Sequence, residues 1–323
     1  MTELYPPIEP YDQGILDVGQ GNRIYWDVSG NPDGKPAVVL HGGPGQGCTP
    51  NMRRGFDPER YRIILFDQRG CGRSTPHASD PGTDMRHNTT AHLVSDMELL
   101  REHLGVRKWL LRGGSWGCTL ALAYARRYRH RVTEIVLSAI STSRRSEIDW
   151  LYRGVAPMFP AEWQKFRLGA GDPDVVAGYA RLMENPDPAV RLKAAQDWYD
   201  WEETVLSLEP GAKQAFFTVS DAVLAFVRIC AHYYANGAWL EEGALIRDAG
   251  KLTGIPGVLI HGRQDLSCPF QTAWELAQAW PGAELHGLTD SGHRGSDARR
   301  GLIVATLDRF ATGQPPRSAP QVQ

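Results

Sequence analysis

Cysteine is scarce in this chain: 323 residues hold five, Cys48, Cys71, Cys118, Cys230 and Cys268. No two of them form C-x-x-C and one is left over, so reduced thiols are expected rather than a disulfide framework. The ten histidines include no H-E-x-x-H and no C-x-x-C partner, so no metal and no cofactor is expected. A large excess of one sign of charge is missing too. A net charge of −2 leaves no basic face to argue for nucleic acid or an anionic membrane as partner. No apolar run reaches the length of about 20 residues that a membrane span requires. The start, MTELYPPIEPYDQG, lacks the basic and apolar regions of a secretory signal, and a cytoplasmic location is expected.

Short apolar runs and glycine are what the chain does have. Hydrophobic residues make up 42% and charged ones 22%, the balance of a globular protein with a substantial core. The length suits one large α/β domain with an insertion, or two domains. Residues 1–36 carry two strand-like runs, GILDVG and NRIYWDVSG, with Gly21-Asn22 between them as a hairpin signal. A second turn lies at Asn31-Pro32-Asp33-Gly34. AVVLHGGPGQG and YRIILFDQRGCGRS each read as a buried strand that stops in a glycine-rich loop. TTAHLVSDMELLREHLG reads as a helix with Leu93, Met97, Leu100 and Leu104 on one face and Gly105 as its stop. Strand, helix and strand follow, up to TEIVLSAI. Such alternation predicts a mostly parallel sheet flanked by helices.

From about Ser143 to Ala249 the texture changes to Trp-, Tyr- and Pro-rich segments with helical patterning and no buried strand. The sheet pattern then returns with GIPGVLIHGRQD, helix TAWELAQAW, strand AELHGL and helix GLIVATLDRF. The expected organisation is a core of residues 1–142 and 250–312, a helical cap of 143–249, and a disordered tail of 313–323.

The stretch from Leu110 to Ala125 carries the chemistry. Gly113-Gly114-Ser115-Trp116-Gly117 matches G-x-S-x-G between a strand and a helix, the setting in which a sharp turn exposes a nucleophilic serine. A serine nucleophile needs a base and a group to fix its tautomer. His293, in Asp290-Ser291-Gly292-His293, and Asp265, in HGRQD, both follow strand-like runs and so fall at the same sheet edge. The order Ser115, Asp265, His293 is that of α/β-hydrolases. Asp290 is a rival acid, placed for a local turn contact instead. The oxyanion donors expected are the N–H of Trp116 and that of Gly43 in His41-Gly42-Gly43-Pro44-Gly45, with Gly42 the second choice. His41 and His261 are expected to bond loop backbone, and His232 to face a pocket or pack. Asp67, Arg69 and Arg73 read as a loop-fixing ion cluster, and Cys268 as packing close to the site.

These motifs together resemble the proline iminopeptidases. HGGPGQGCTP, FDQRGCGRS, NTTAHLVSDMELLREHLG, GGSWGCTLALAYA and HGRQD…CP carry the likeness, which runs from LYPPIEPY to about Phe310. The resemblance implies an α/β-hydrolase fold with a helical cap and a triad at Ser115, Asp265 and His293. It also implies release of an N-terminal proline from a small peptide or aminoacyl substrate without metal. The chain departs from the family at Cys118, where serine is usual, and in SGHRGSD, which lacks an SGHSA-like continuation. It departs again where cap glutamates of the family hold the substrate's ammonium. One matches Glu202 of DWYDWEETVLSL; the other's place, in Arg228-Ile229-Cys230-Ala231-His232, is taken by Cys230. Two alternatives therefore stay open. One is a specialised relative that hydrolyses or transfers a different acyl group. The other is a catalytically silent binding protein of the same fold.

Overall fold

The computed structural model describes residues 4–209 and 218–313. Its eight strands are β1 (Asp12–Gly19), β2 (Asn22–Gly30), β3 (Lys35–Leu40), β4 (Tyr61–Phe66), β5 (Trp109–Ser115), β6 (Val132–Ile140), β7 (Gly257–Gly262) and β8 (Ala283–Leu288). They form one sheet in the order β1-β2-β4-β3-β5-β6-β7-β8. β1 and β2 pair antiparallel, as do β2 and β4, and the remaining neighbours run parallel. The β1–β2 hairpin turns one residue earlier than its sequence signal. Gln20 and Gly21 both take positive φ, at 55° and 73°, as a tight primed turn requires.

The central strands are continuous apolar runs because both faces of the sheet are covered. Alternate side chains enter different cores. Val38 and Leu40 of β3 pack with Ile64, Leu111 and the buried face of α1 (Thr90–His103), which includes Leu93, Met97 and Leu100, and with Leu104 just past its end. That same core takes in α2 (Trp116–Arg127). Ala37 and Val39 face the other way, against Ile63, Leu65 and Leu110.

Between β6 and β7 the described residues hold helices and no strand: α3 (Arg145–Asp149), α4 (Pro160–Ala170), α5 (Val175–Met183), α6 (Pro188–Leu206), α7 (Asp221–Ala235) and α8 (Ala244–Arg247). α6 shows why. Asp187 caps it by accepting from the Ala189 N–H, Pro188 opens its first turn, and Ala194, Trp198, Trp201 and Val205 repeat at helical spacing as its buried face. Those side chains join Tyr152, Phe166 and Tyr179 in an aromatic core of their own. After β7 come α9 (Phe270–Ala279) and α10 (Asp297–Ala311). α10 begins four residues before its apolar pattern, since Ser296 caps it through the Arg299 N–H. Its Leu307 and Phe310 fill the second face of the sheet. No described helix is long and apolar enough to cross a membrane. Beyond Gly313, the tail expected to be disordered lies outside the described residues.

Candidate active site

β5 ends and α2 begins at Ser115, whose φ of 55° and ψ of −125° lie where few side-chain-bearing residues go. Holding that conformation costs roughly 1–3 kcal/mol, which the surrounding packing must offset. The flanking glycines allow it. A Cβ on Gly117 would stand 2.1 Å from the Leu40 carbonyl, and one on Gly113 2.5 Å from that of Gly117. The backbone N–H of Trp116 opens α2 beside Ser115, where helix N–H groups are unpaired and the dipole is positive.

The loop after β3 reaches the same place through a short network. The Gln68 N–H donates to His41 Nε2 at 3.0 Å, and Nδ1 of His41 bonds the Gly42 carbonyl at 2.9 Å. The Gln68 amide donates to the His41 carbonyl and accepts from Trp116 Nε1 at 2.9 Å. Burial holds His41 below its usual value. A neutral ring, one nitrogen accepting and one donating, is what these partners need. Gln68 thereby ties the Gly43 loop to the residue after Ser115. In the adjoining loop Arg73 pairs with Asp67 at 2.7 Å, whereas Arg69 turns away to Asp96 of α1 at 2.6 Å.

Asp265 follows β7 and His293 follows β8, and the parallel sheet brings them together. His293 Nδ1 lies 2.9 Å from Asp265 Oδ2 and 3.1 Å from Oδ1, while Oδ1 also accepts from the Cys268 N–H at 2.8 Å. Burial pushes Asp265 up, but the charge and hydrogen bond of His293 outweigh it and hold the carboxyl below its ordinary value. Burial likewise pushes His293 down, and Asp265 overcomes it, leaving the imidazole raised. Asp290 is exposed. His261 accepts from the Ile140 N–H and bonds the Cys268 carbonyl. Asp265, Cys268 and His293 are also the described residues closest to a metal-ligand set, their donor atoms within 4.8 Å of one another. Both Asp265 oxygens are already engaged, however, and burial pushes the Cys268 thiol well up, so it is not a ready thiolate ligand.

Ser115, His293, Gly43 and Glu202 line one cleft. Residues 35–296 match the family model of the alpha/beta hydrolase fold. A probable proline iminopeptidase of Streptomyces coelicolor is 46% identical over 318 residues, 96% of this chain and 98% of its own. The proline iminopeptidase of Xylella fastidiosa is 43% identical over 326 residues, 96% of this chain and 100% of its own. The chain belongs to the proline iminopeptidase family. Among solved structures, a proline iminopeptidase-related protein from Thermus thermophilus is 26% identical, with a TM-score of 0.58 over 93% of this chain and 97% of its own. An esterase from Exiguobacterium antarcticum shares the fold, at 21% identity and a TM-score of 0.56 over 92% and 98%.

The side of the cleft lined from the helices between β6 and β7 is where this proline iminopeptidase relative departs from its sequence reading. Glu202, on α6, accepts at Oε1 from Tyr152 at 2.6 Å and from Trp198 at 2.8 Å. Its Oε2 has no partner among the described residues, and burial raises the carboxyl. Cys230, expected beside the substrate amine, is not among the lining residues. It is fully buried in α7, its thiol donating to the Pro44 carbonyl at 3.2 Å. His232 packs against Trp239 and bonds the Asn88 carbonyl rather than facing the cleft. Cys268 does line it. Sequence reasoning missed Tyr152, Tyr234 and Glu147 in the lining. Tyr234 donates to the Gly43 carbonyl at 3.0 Å. Glu147 is saturated by Thr142, Ser143 and Arg144, and so leaves Glu202 as the carboxylate with an open oxygen.

Proposed function

We propose that the chain is a serine hydrolase releasing an N-terminal proline, or a similar amino acid with a free amine, from a small peptide, amide or ester. Ser115 Oγ attacks the carbonyl while neutral His293 takes its proton. Asp265 keeps the His293 proton on Nδ1 and stabilises the imidazolium that forms. The N–H groups of Trp116 and Gly43 receive the oxyanion. His293 then returns the proton to the leaving amine, and water resolves the acyl-enzyme by the same steps. Residues 143–249 act as the cap, and Glu202 Oε2 receives the substrate ammonium. A buried cation needs such a partner, because an uncompensated one is costly.

The observation that carries this reading is one cleft shared by a strained serine, a carboxylate-held histidine and a carboxylate with an open oxygen. The names of the relatives support proline as the residue released. Cys230 favours a second reading, a specialised relative for a different acyl group, because it leaves Glu202 without the companion glutamate expected there. Arylamides of proline, alanine and N-acetylproline separate the two. The proposal expects prolyl above alanyl, with the N-acetylated substrate far behind. N-acetylprolyl arylamide turning over fastest would move the assignment to the second reading.

A further inference from the structure

The loop carrying His293 is held from the cap by a residue outside the triad. Glu209 lies just beyond α6, only 5% exposed. Its Oε1 accepts from the His293 backbone N–H and its Oε2 from the Arg294 N–H at 2.9 Å. Two consecutive N–H groups on one carboxylate form an anion nest. The preceding residue is shaped to admit the carboxylate, since a Cβ on Gly292 would stand 2.4 Å from Glu209 Cδ. On the other side of the loop, Arg299 of α10 donates to the Gly292 carbonyl at 3.3 Å. Arg294 adds a rim ion pair to Glu203, a residue of α6. The helix whose Glu202 faces the cleft therefore ends in the clamp on the loop bearing the base.

We propose that Glu209 is a positioning residue for His293, fixing the backbone beneath the imidazole from the cap side so that the base stays aligned with Ser115. A fully engaged buried carboxylate is a costly way to fill space, since an apolar side chain of similar volume would pack there more cheaply. What the carboxylate adds is direction. Hydrogen bonds to two adjacent N–H groups set both the position and the tilt of the peptide planes. Misplacing a catalytic group by about 1 Å costs on the order of a hundredfold in rate.

The inference rests on His293 being the base, so the test separates the two. Glu209→Gln, Gly292→Ala and His293→Ala are made in the full chain. Each is assayed for kcat and KM on prolyl arylamide across the imidazole range, and for its thermal midpoint. Glu209→Gln keeps the size but turns an amide N–H₂ toward one of the two N–H donors. It should lower kcat by roughly a hundredfold with KM near the parent value, because alignment rather than binding is lost.

The acid limb of kcat/KM should also move to lower pH. The charged and titratable groups facing His293 are Asp265 and His261 from the β7 side, Arg299 from α10, Glu202 from α6, and Glu209. Removing the negative charge of Glu209 alone disfavours the imidazolium. A merely structural role would lower the thermal midpoint and leave kcat near the parent value at temperatures where the variant is folded, whatever the limb does. Gly292→Ala pushes the carboxylate aside without removing it, and should reproduce the loss in kcat. Parent-like kcat and acid limb in Glu209→Gln, beside an inactive His293→Ala, would overturn the positioning role alone. If Glu209→Gln does not fold, parent-like kcat in folded Gly292→Ala overturns it instead. Parent-like turnover in His293→Ala overturns both assignments.

Discussion

Glu202→Gln removes one charge from the cleft and almost no volume. The amide can still offer a carbonyl oxygen to Tyr152 and Trp198, which now donate to Oε1 at 2.6 and 2.8 Å, so the aromatic core around Trp198 should stay packed. What changes is the unpartnered oxygen. A hydrogen bond between charged groups contributes about 1.5–3 kcal/mol, and losing it should lower kcat/KM for prolyl arylamide by roughly ten- to 150-fold. The control is the cyclopentanecarbonyl arylamide, which has nearly the same ring and no amine. Glu202→Gln should leave its kcat/KM close to the parent value or raise it, since a buried charge no longer sits beside an apolar ring. The ratio of the two substrates is therefore the quantity to measure. Burial raises the Glu202 carboxyl. As pH falls, the parent's preference for the charged substrate should thus fade above the ordinary carboxylate range of about 4.3. In the variant the ratio should be flat with pH. A parent ratio that survives Glu202→Gln would refute the assignment of Glu202 to the amine.

Asp265→Asn should fold and lose on the order of 10⁴-fold in kcat through the wrong imidazole tautomer. Asp290→Asn, at an exposed position, should match the parent; the reverse pattern in steady-state rates would exchange the two acids. His293 is raised by Asp265, so the acid limb of kcat/KM on the uncharged substrate should lie above the ordinary imidazole value of about 6.5. A limb below that value would contradict the pairing. Cys230→Glu should lower KM for prolyl arylamide by about tenfold if a lengthened side chain clears the Pro44 carbonyl and reaches the ammonium. Unchanged KM would place position 230 beyond the substrate's reach.

The core strands were legible because burial on both faces leaves short apolar runs that stop in glycine-bearing loops, as in β3 and β4. Ser115, Asp265 and His293 could be brought together on paper for a related reason. Residues that follow parallel strands share one edge, whatever their separation in sequence. Turn chemistry was less exact: Gln20 adopts positive φ without a local signal, and the hairpin moved by one residue. α10 began early because its first turn is polar and only the Ser296 cap marks it. The helical stretch between β6 and β7 was the hardest part to read. Tyr152 and Tyr234 look like any aromatic residues at helical spacing, yet both face the cleft. Cys230 sits at the position the family resemblance picks out, but its thiol points to Pro44. Glu209 meets His293 across 84 residues of sequence, with no motif at either end to announce it.

Everything proposed for the cleft depends on Ser115 being the acylated nucleophile. Incubation with a fluorophosphonate, followed by intact-mass measurement and peptide mapping, tests it most directly. One adduct per chain is expected, on Ser115, appearing in step with the loss of prolyl arylamide hydrolysis and absent from Ser115→Ala. An adduct on another residue, or full hydrolysis persisting in the labelled protein, would contradict it.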